Sequence, residues 1–354
     1  MTLQLIEVDE ALKLRDQGAL MVDVRSPSEF AQETIPGAIN IPLLNDEERA
    51  RVGTCYKQKG RMEARLLGLQ FVSPRIPAMV SQLLCQKHTD RTPAVVFCWR
   101  GGLRSEAAAT LFALAGISVR RLRGGHKAFR DYVRDFLDRG EWGRLLVLRG
   151  LTGVGKTALL KRLVQKGVPI LDLEGIACHR GSAFGGLNQP PQPTQKYFEA
   201  LLWDRLRNIP PGSWAVSEGE SRNIGKLLLP ERLYASLQEE TSLWIKASVD
   251  FRVRTILREY APLLEEKEAL TAPIQSLRRR LGGDAVDQLL QLVKEEHWEE
   301  LVRRLIVDYY DPLYRHTLPE RRIEVEVEPE DEGMQRLRLA LDRVLAEKVS
   351  EPAR

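Results

Sequence analysis

Residues 145–164, LLVLRGLTGVGKTALLKRLV, pass from an unbroken apolar stretch through a glycine-rich turn into an amphipathic segment. Such a stretch reads as strand, loop and helix, and the spacing G-x-x-x-x-G-K-T from Gly150 to Thr157 inside it is that of a phosphate-binding P-loop. Gly150, Gly153 and Gly155 let backbone N–H groups crowd around phosphate oxygens, with Thr152 and Val154 completing the turn. Lys156 neutralises phosphate charge, and the Thr157 hydroxyl can reach a magnesium ion. The motif specifies phosphate binding and leaves the rest of the ligand open.

Downstream, an acidic residue is expected at the tip of a neighbouring strand to hold the metal and its water. Glu218, in SWAVSEGESRNIG (213–225), ends an apolar run, with Glu220 second; Asp172, in VPILDLEGIACHRGSAFGG (168–186), ends the run before it. A solvated carboxylate is an equal reading for each. His179 and Arg180 beside Gly181 and Ser182 read as an anion-facing turn, and Arg222 is a further candidate for this second site. Arg252 and Arg254 are placed where a lid helix can close on phosphate. No metal site beyond magnesium at Thr157 is specified.

Upstream, residues 97–111, FCWRGGLRSEAAATL, place one cysteine between an apolar run and a helix-like run. A thiolate is the attacking form, and positive charge favours it. If Trp99, Arg100, Gly101, Gly102, Leu103, Arg104 and Ser105 curl into a loop, their N–H groups and the start of the next helix point at Cys98, with Arg100 and Arg104 adding full charges. The other reading is a buried structural cysteine at a strand end.

Short apolar runs (ALMVDVR, AVVFC) alternate with helix-like segments over the first 135 residues or so, which predicts a parallel α/β sheet. The charged stretch RDFLDRGEWGR precedes the second unit, so two domains are expected, 1–138 and 139–354. The latter carries a helical segment over about 250–318 and a final strand (RIEVEVE) and helix. Net charge is +4, but residues 51–150 alone sum to +12, a local field suited to phosphate-rich partners. The N-terminal stretch shows no signal peptide or membrane span, so a cytoplasmic protein without a membrane partner is expected. Cys55, Cys85, Cys98 and Cys178 form no C-x-x-C pair, which argues against a zinc site or disulfide framework.

DVRSPSEFAQETIPGAINIP (23–42) and LRGGHKAFRDY (122–132) flank the cysteine loop in the order found in rhodanese domains, which the first domain resembles. The resemblance implies that Cys98 handles a chalcogen atom and that Asp23 and Arg25 are structural. Arg104 follows Cys98 by six positions, one more than in many single-domain sulfurtransferases. That leaves room for a tetrahedral oxyanion and keeps a phosphatase in contention. Together with DLEGIACHRGSAFG, ESRNIGKLLLP, GTCYKQKGRMEARLLG (53–68) and YYDPLYRHTL (309–318), the whole chain resembles the bacterial tRNA 2-selenouridine synthases.

That resemblance implies a transferase acting on the wobble 2-thiouridine of the tRNA anticodon loop. The sulfur is geranylated from geranyl diphosphate and then exchanged for selenium from selenophosphate. No tightly bound cofactor is implied, and contact with a selenophosphate-producing enzyme is a further expectation. The P-loop would take the diphosphate and the Cys98 loop the selenophosphate, with Cys98 either carrying a perselenide or only positioning the donor. A P-loop kinase or nucleotide hydrolase with a rhodanese-like phosphatase or sulfurtransferase module is the alternative; it calls for nucleotide turnover without tRNA.

Overall fold

The structure is a computed structural model that describes residues 3–87, 92–264, 267–314 and 319–349, the side chains of 262–264 and 347–349 excepted. The chain divides into two compact units, Met1–Gly140 with Pro193–Asp204, and Glu141–Gln192 with Arg205–Arg354.

In the first unit, β1 (Leu5–Ile6), β2 (Met21–Asp23), β3 (Ile39–Asn40), β4 (Ala94–Phe97) and β5 (Val119–Leu122) form a parallel sheet in the order β1-β5-β4-β2-β3. Every residue of β2 and β4 is buried, as expected of central strands covered on both faces. Cys98 follows β4 directly, so the loop sits at the carboxyl end of the sheet, where α/β folds bind ligands.

The sequence boundary placed all of 139–354 in the second domain. The helix Gln195–Leu206 instead returns to the first unit through Asp204. Trp203 explains why. It is 1% exposed, its ring meets Phe129 edge-on at 5.2 Å and Arg15 at 5.4 Å, while Asp204 pairs with Arg15 and Glu199 with Arg130. An aromatic anchor in a helix says how strongly it packs but not against which unit.

In the second unit, β6 (Arg144–Gly150), β7 (Ile170–Leu171), β8 (Trp214–Glu218), β11 (Ser242–Lys246) and β12 (Arg322–Glu326) form a parallel sheet ordered β12-β11-β6-β8-β7, and β9 (Asn223–Ile224) pairs with β10 (Leu227–Leu228) as a small hairpin. The P-loop leaves the central strand and enters the helix Lys156–Gln165. Helices then run from Val249–Leu264 through Trp298–Arg304 to a π-helical turn at Leu305–Tyr310 and a last turn at Asp311–Tyr314. Residues 315–318 of the expected helical segment lie outside the described residues. These helices share a core of their own around Ile274, Leu277, Val286 and Leu305. The helix Glu330–Val349 follows β12. Among the described residues, no helix is long and apolar enough to cross a membrane.

Candidate active site

Each unit contains one site. In the first, Cys98 is 4% exposed, and its Sγ lies 3.3 Å from the hydroxyl of the buried Ser105 and 3.9 Å from the Gly102 carbonyl, to which Ser105 itself donates at 3.0 Å. The helix Leu103–Leu114 opens at the exposed Leu103, just after the exposed Gly102.

What shapes the loop is a second one. The N–H groups of His126 and Lys127 donate to the carbonyls of Cys98 and Trp99 at 2.8 and 2.9 Å. Arg121 donates to the Gly101 carbonyl at 3.0 Å. With those carbonyls committed outward, the N–H groups of Trp99 to Ser105 find no protein acceptor among the described residues and remain available to an anion. Gly125, at φ +61°, is required by close approach: a Cβ there would overlap the Cys98 carbonyl and the Gly101 nitrogen.

Behind the loop, Trp99 stacks on the buried His126 at 5.6 Å, and the Arg25 guanidinium lies 5.9 Å from the Trp99 ring. Burial, followed by the charges of Arg25, Arg130 and Lys196, pushes His126 down to about 3, so the imidazole is neutral packing. Arg25 grips Asp23 at 2.7 Å with both groups buried, consistent with the structural role that the resemblance implied for this pair.

The two loop arginines differ. Arg100 is exposed and has no ion pair among the described residues, whereas Arg104 donates to both carboxylate oxygens of Glu29 at 2.6 and 3.3 Å. Burial alone would raise Glu29, but the Arg104 hydrogen bond and the charges of Arg104 and Arg49 hold it below the usual carboxylate range. The sequence reading missed Glu29. Its place as the fourth residue of SPSE, a capping-box pattern, was the available signal.

In the second unit the P-loop has the expected form. Gly153 and Gly155 have φ of +85° and +80°, and the N–H groups of Gly153, Gly155, Lys156 and Thr157 lack acceptors among the described residues. Lys156 Nζ donates to the Gly150 carbonyl at 3.4 Å. Burial opposes its charge, yet Tyr314 and the carboxyls of Glu220, Glu174 and Glu218 outweigh that and raise it.

Of the acidic candidates in the sequence, Glu220 lines the pocket and Glu218 and Asp172 do not. Glu218 does end β8, but its buried carboxylate accepts from the Leu173 N–H at 2.9 Å and does not line the pocket; burial, with Asp172 adding to it, raises it well above its usual range. Asp172 caps the short helix Leu173–Ala177 by accepting from Gly175 at 2.7 Å. Glu174 and Glu220 line the pocket instead, and Thr157 donates to Glu174 at 3.2 Å. Burial, then the Glu220 charge, pushes Glu174 up to about 7. Asp172, directly after β7, is taken up as a helix cap, and Glu174, two positions beyond it, faces the cradle.

Arg180 lines the pocket with its guanidinium 4.8 Å from the Tyr260 ring and Nη1 buried without a partner. His179 turns away, accepting from the Gly181 N–H at 3.1 Å, and Arg222 is exposed; neither lines the pocket. Arg252 is no lid residue: 1% exposed, it donates to the Thr152 carbonyl at 2.8 Å and to Asp311. Arg254 is exposed, 4.0 Å from Glu328.

The cradle opens into a pocket walled on one side by Leu270, Ile274, Leu301 and Leu305 of the helical segment with Phe184, and on the other by Ser182, Glu259, Tyr260, Tyr310 and Tyr314. Nothing in the sequence marked the apolar wall, because its residues follow ordinary helical core spacing. Among the described residues no group of three or more His, Cys, Asp or Glu side chains is arranged to hold a metal ion.

Both units match known families. Residues 7–132 match the rhodanese-like domain, and residues 143–338 match the tRNA 2-selenouridine synthase AAA domain. Three curated relatives bear the name tRNA 2-selenouridine synthase. That of Nitrosomonas europaea is 32% identical over 363 positions, spanning 90% of this chain and 94% of that protein. That of Marinobacter nauticus is 35% identical, with 90% and 94% covered, and that of Hydrogenovibrio crunogenus 36% identical, with 86% and 91% covered. With a cysteine loop at one sheet, a phosphate cradle at the other and relatives aligned across both, the chain belongs to the tRNA 2-selenouridine synthase family.

Proposed function

We propose that this protein is the transferase that converts wobble 2-thiouridine of tRNA to 2-selenouridine in the cytoplasm, through an S-geranyl intermediate made from geranyl diphosphate and resolved by selenophosphate. The observation that carries the first half is the joining of a phosphate cradle to an apolar wall of helical-segment side chains in one pocket. A prenyl diphosphate has those two halves. Leu270, Ile274, Leu301 and Leu305 give a ten-carbon chain an apolar surface to lie on, while Ser182, Glu259, Tyr260 and Tyr310 form the polar side of the same pocket.

In the first step the thiocarbonyl sulfur attacks C1 of the prenyl group and the C–O bond to diphosphate breaks. The base loses its N3 proton to solvent. Lys156, Arg180 and the free N–H groups meet the charge that grows on the departing diphosphate. A magnesium ion fits here: Thr157, Glu174 and Glu220 supply oxygen ligands only, and the crowding that raises Glu174 is relieved by a cation. When bound it would neutralise diphosphate charge.

Alkylation turns a poor leaving group into a good one, which makes C2 open to selenium. Selenium in selenophosphate is already at the selenide level, so loading it onto Cys98 as a perselenide would require an oxidant. The redox-neutral course is attack of the donor selenium on C2, departure of geranyl thiol, and cleavage of the Se–P bond by water. Cys98, Arg100 and the loop amides position the donor for that attack, and an enzyme that makes selenophosphate would feed this site. The test is mass spectrometry of nucleosides from 2-thiouridine tRNA treated with geranyl diphosphate, selenophosphate or both. Wild type should yield selenouridine, Cys98→Ala should stop at the geranylated base, and Lys156→Ala should fail to geranylate. Unchanged tRNA in every mixture, with nucleotide turnover in its place, would establish the hydrolase alternative.

A further inference from the structure

The helices Asp46–Lys59 and Arg61–Val72 of the first unit form a hairpin hinged on the single residue Gly60, whose φ of +99° and ψ of −175° suit glycine alone. The first of these helices buries none of its residues and the second only Ala64 and Val72. Fourteen and twelve residues at 1.5 Å rise put the tip about 20 Å from the root along the hairpin axis. A pair of helices this poorly buried adds little to the core, so its composition answers to something other than folding.

That composition is polarised. The root carries Asp46, Glu47 and Glu48 with Arg49, Arg51 stands between root and tip, and Lys57, Lys59, Arg61 and Arg65 cluster toward the tip against Glu63 alone, all five cations from Arg51 onward being exposed. None of these five cations has an ion pair among the described residues, although Arg51 covers the Phe71 ring at 4.8 Å. Tyr56, 53% exposed, stands among them. Unpaired cations interleaved with an exposed aromatic are what a nucleic-acid backbone with unstacked bases recognises. The root is tied to the cysteine loop: Glu29 accepts from Arg49 at 3.0 Å and from Arg104 at 2.6 Å, so one carboxylate joins the base of the hairpin to the rim of the Cys98 site.

We propose that this hairpin is a tRNA-docking arm: its tip grips phosphates and stacks one unpaired base on Tyr56, and its root holds the bound RNA beside Cys98. The inference rests on tRNA being the substrate, as proposed above. The acidic root repels phosphate and confines the RNA to the tip. Met62, Leu66 and Leu69 form an exposed apolar stripe on the same hairpin, the feature that a second copy of the chain would cover instead.

The experiment measures binding of full-length protein to 2-thiouridine tRNA across a salt series. Replacing Lys57, Lys59 and Arg61 together with glutamine should weaken binding by about tenfold or more at physiological salt and lower the slope of log affinity against log salt by about two to three. Circular dichroism and the thermal unfolding transition should match wild type, which establishes that the first unit is folded, and pyrophosphate binding at the P-loop should not change. Tyr56→Ala should weaken binding by about tenfold with the slope unaltered. Wild-type affinity and slope in the triple variant would overturn the docking arm while leaving the synthase reading intact. So would Leu66→Asp leaving tRNA binding untouched while dissociating a dimer. Wild-type protein that does not bind tRNA would overturn both.

Discussion

Arg252 Nε donates to the carbonyl oxygen of Thr152 at 2.8 Å, so a side chain 100 positions downstream fixes the backbone of the phosphate cradle. The same guanidinium holds Asp311 through both carboxylate oxygens, at 3.0 and 2.5 Å. Arg252→Gln removes the buried member of a part-buried pair, and its expected cost is about 2 kcal/mol of stability with at least tenfold weaker pyrophosphate binding. Adding Asp311→Asn should recover part of the stability loss, because no unpaired carboxylate then remains. Calorimetric titration and thermal unfolding of both variants check this, and additive losses would refute the coupling.

Occlusion of the pocket should separate its two halves. Ile274 is fully buried in the helical core and also lines the pocket, so Ile274→Trp fills the space proposed for the prenyl chain without touching the cradle. Geranylation should fall by about 100-fold while inorganic pyrophosphate still binds normally. Equal loss of both would mean that the helical core had collapsed onto the P-loop.

Glu29 keeps Arg104 occupied, and an oxyanion in the Cys98 loop must compete for that guanidinium. Glu29→Gln removes the competition. The half-buried ion pair is worth about 1 kcal/mol, so anion affinity at the loop should rise about fivefold, read as sulfate or selenate binding by titration. Unchanged affinity would show that Arg104 takes no part in anion binding.

His126 gives the first unit a defined pH response. Its native value of about 3 lies below the unfolded value of 6.5, so the unfolded chain takes up a proton that the native state refuses. Stability is full above pH 6.5 and declines by about 1.4 kcal/mol per pH unit as pH falls toward 3. His126→Phe keeps a ring among Phe97, Trp99 and Phe129 and should flatten that decline. Urea unfolding at pH 7 and pH 4.5 measures it; an equal decline in both proteins would assign the response elsewhere.

Both sheets and both anion loops were legible because each rests on local pattern: an apolar strand, a turn whose glycines are spaced for backbone N–H groups, then a helix. What stayed hidden depends on where elements meet. Glu174 took the place assigned to Glu218 because the Glu218 carboxylate is occupied by the Leu173 N–H, a contact that hydrophobicity alone does not register. Arg252 resembled a lid arginine until its partner, the Thr152 carbonyl, was known. The apolar wall beside the P-loop is built of residues whose spacing is that of any helical core, so only their arrangement distinguishes lining from filling.

The helix that carries Trp203 imposes an order on biosynthesis. The chain leaves the first unit at Gly140, lays down Glu141–Gln192 in the second, and comes back for Pro193–Asp204. A nascent chain that has emerged only to residue 140 lacks the covering of Phe129 and the carboxylates that pair with Arg15 and Arg130. Phe129, Arg15 and Arg130 therefore gain these partners only after the P-loop strand and its helix have been synthesised. A fragment cut at the sequence boundary near residue 138 would leave all three without them.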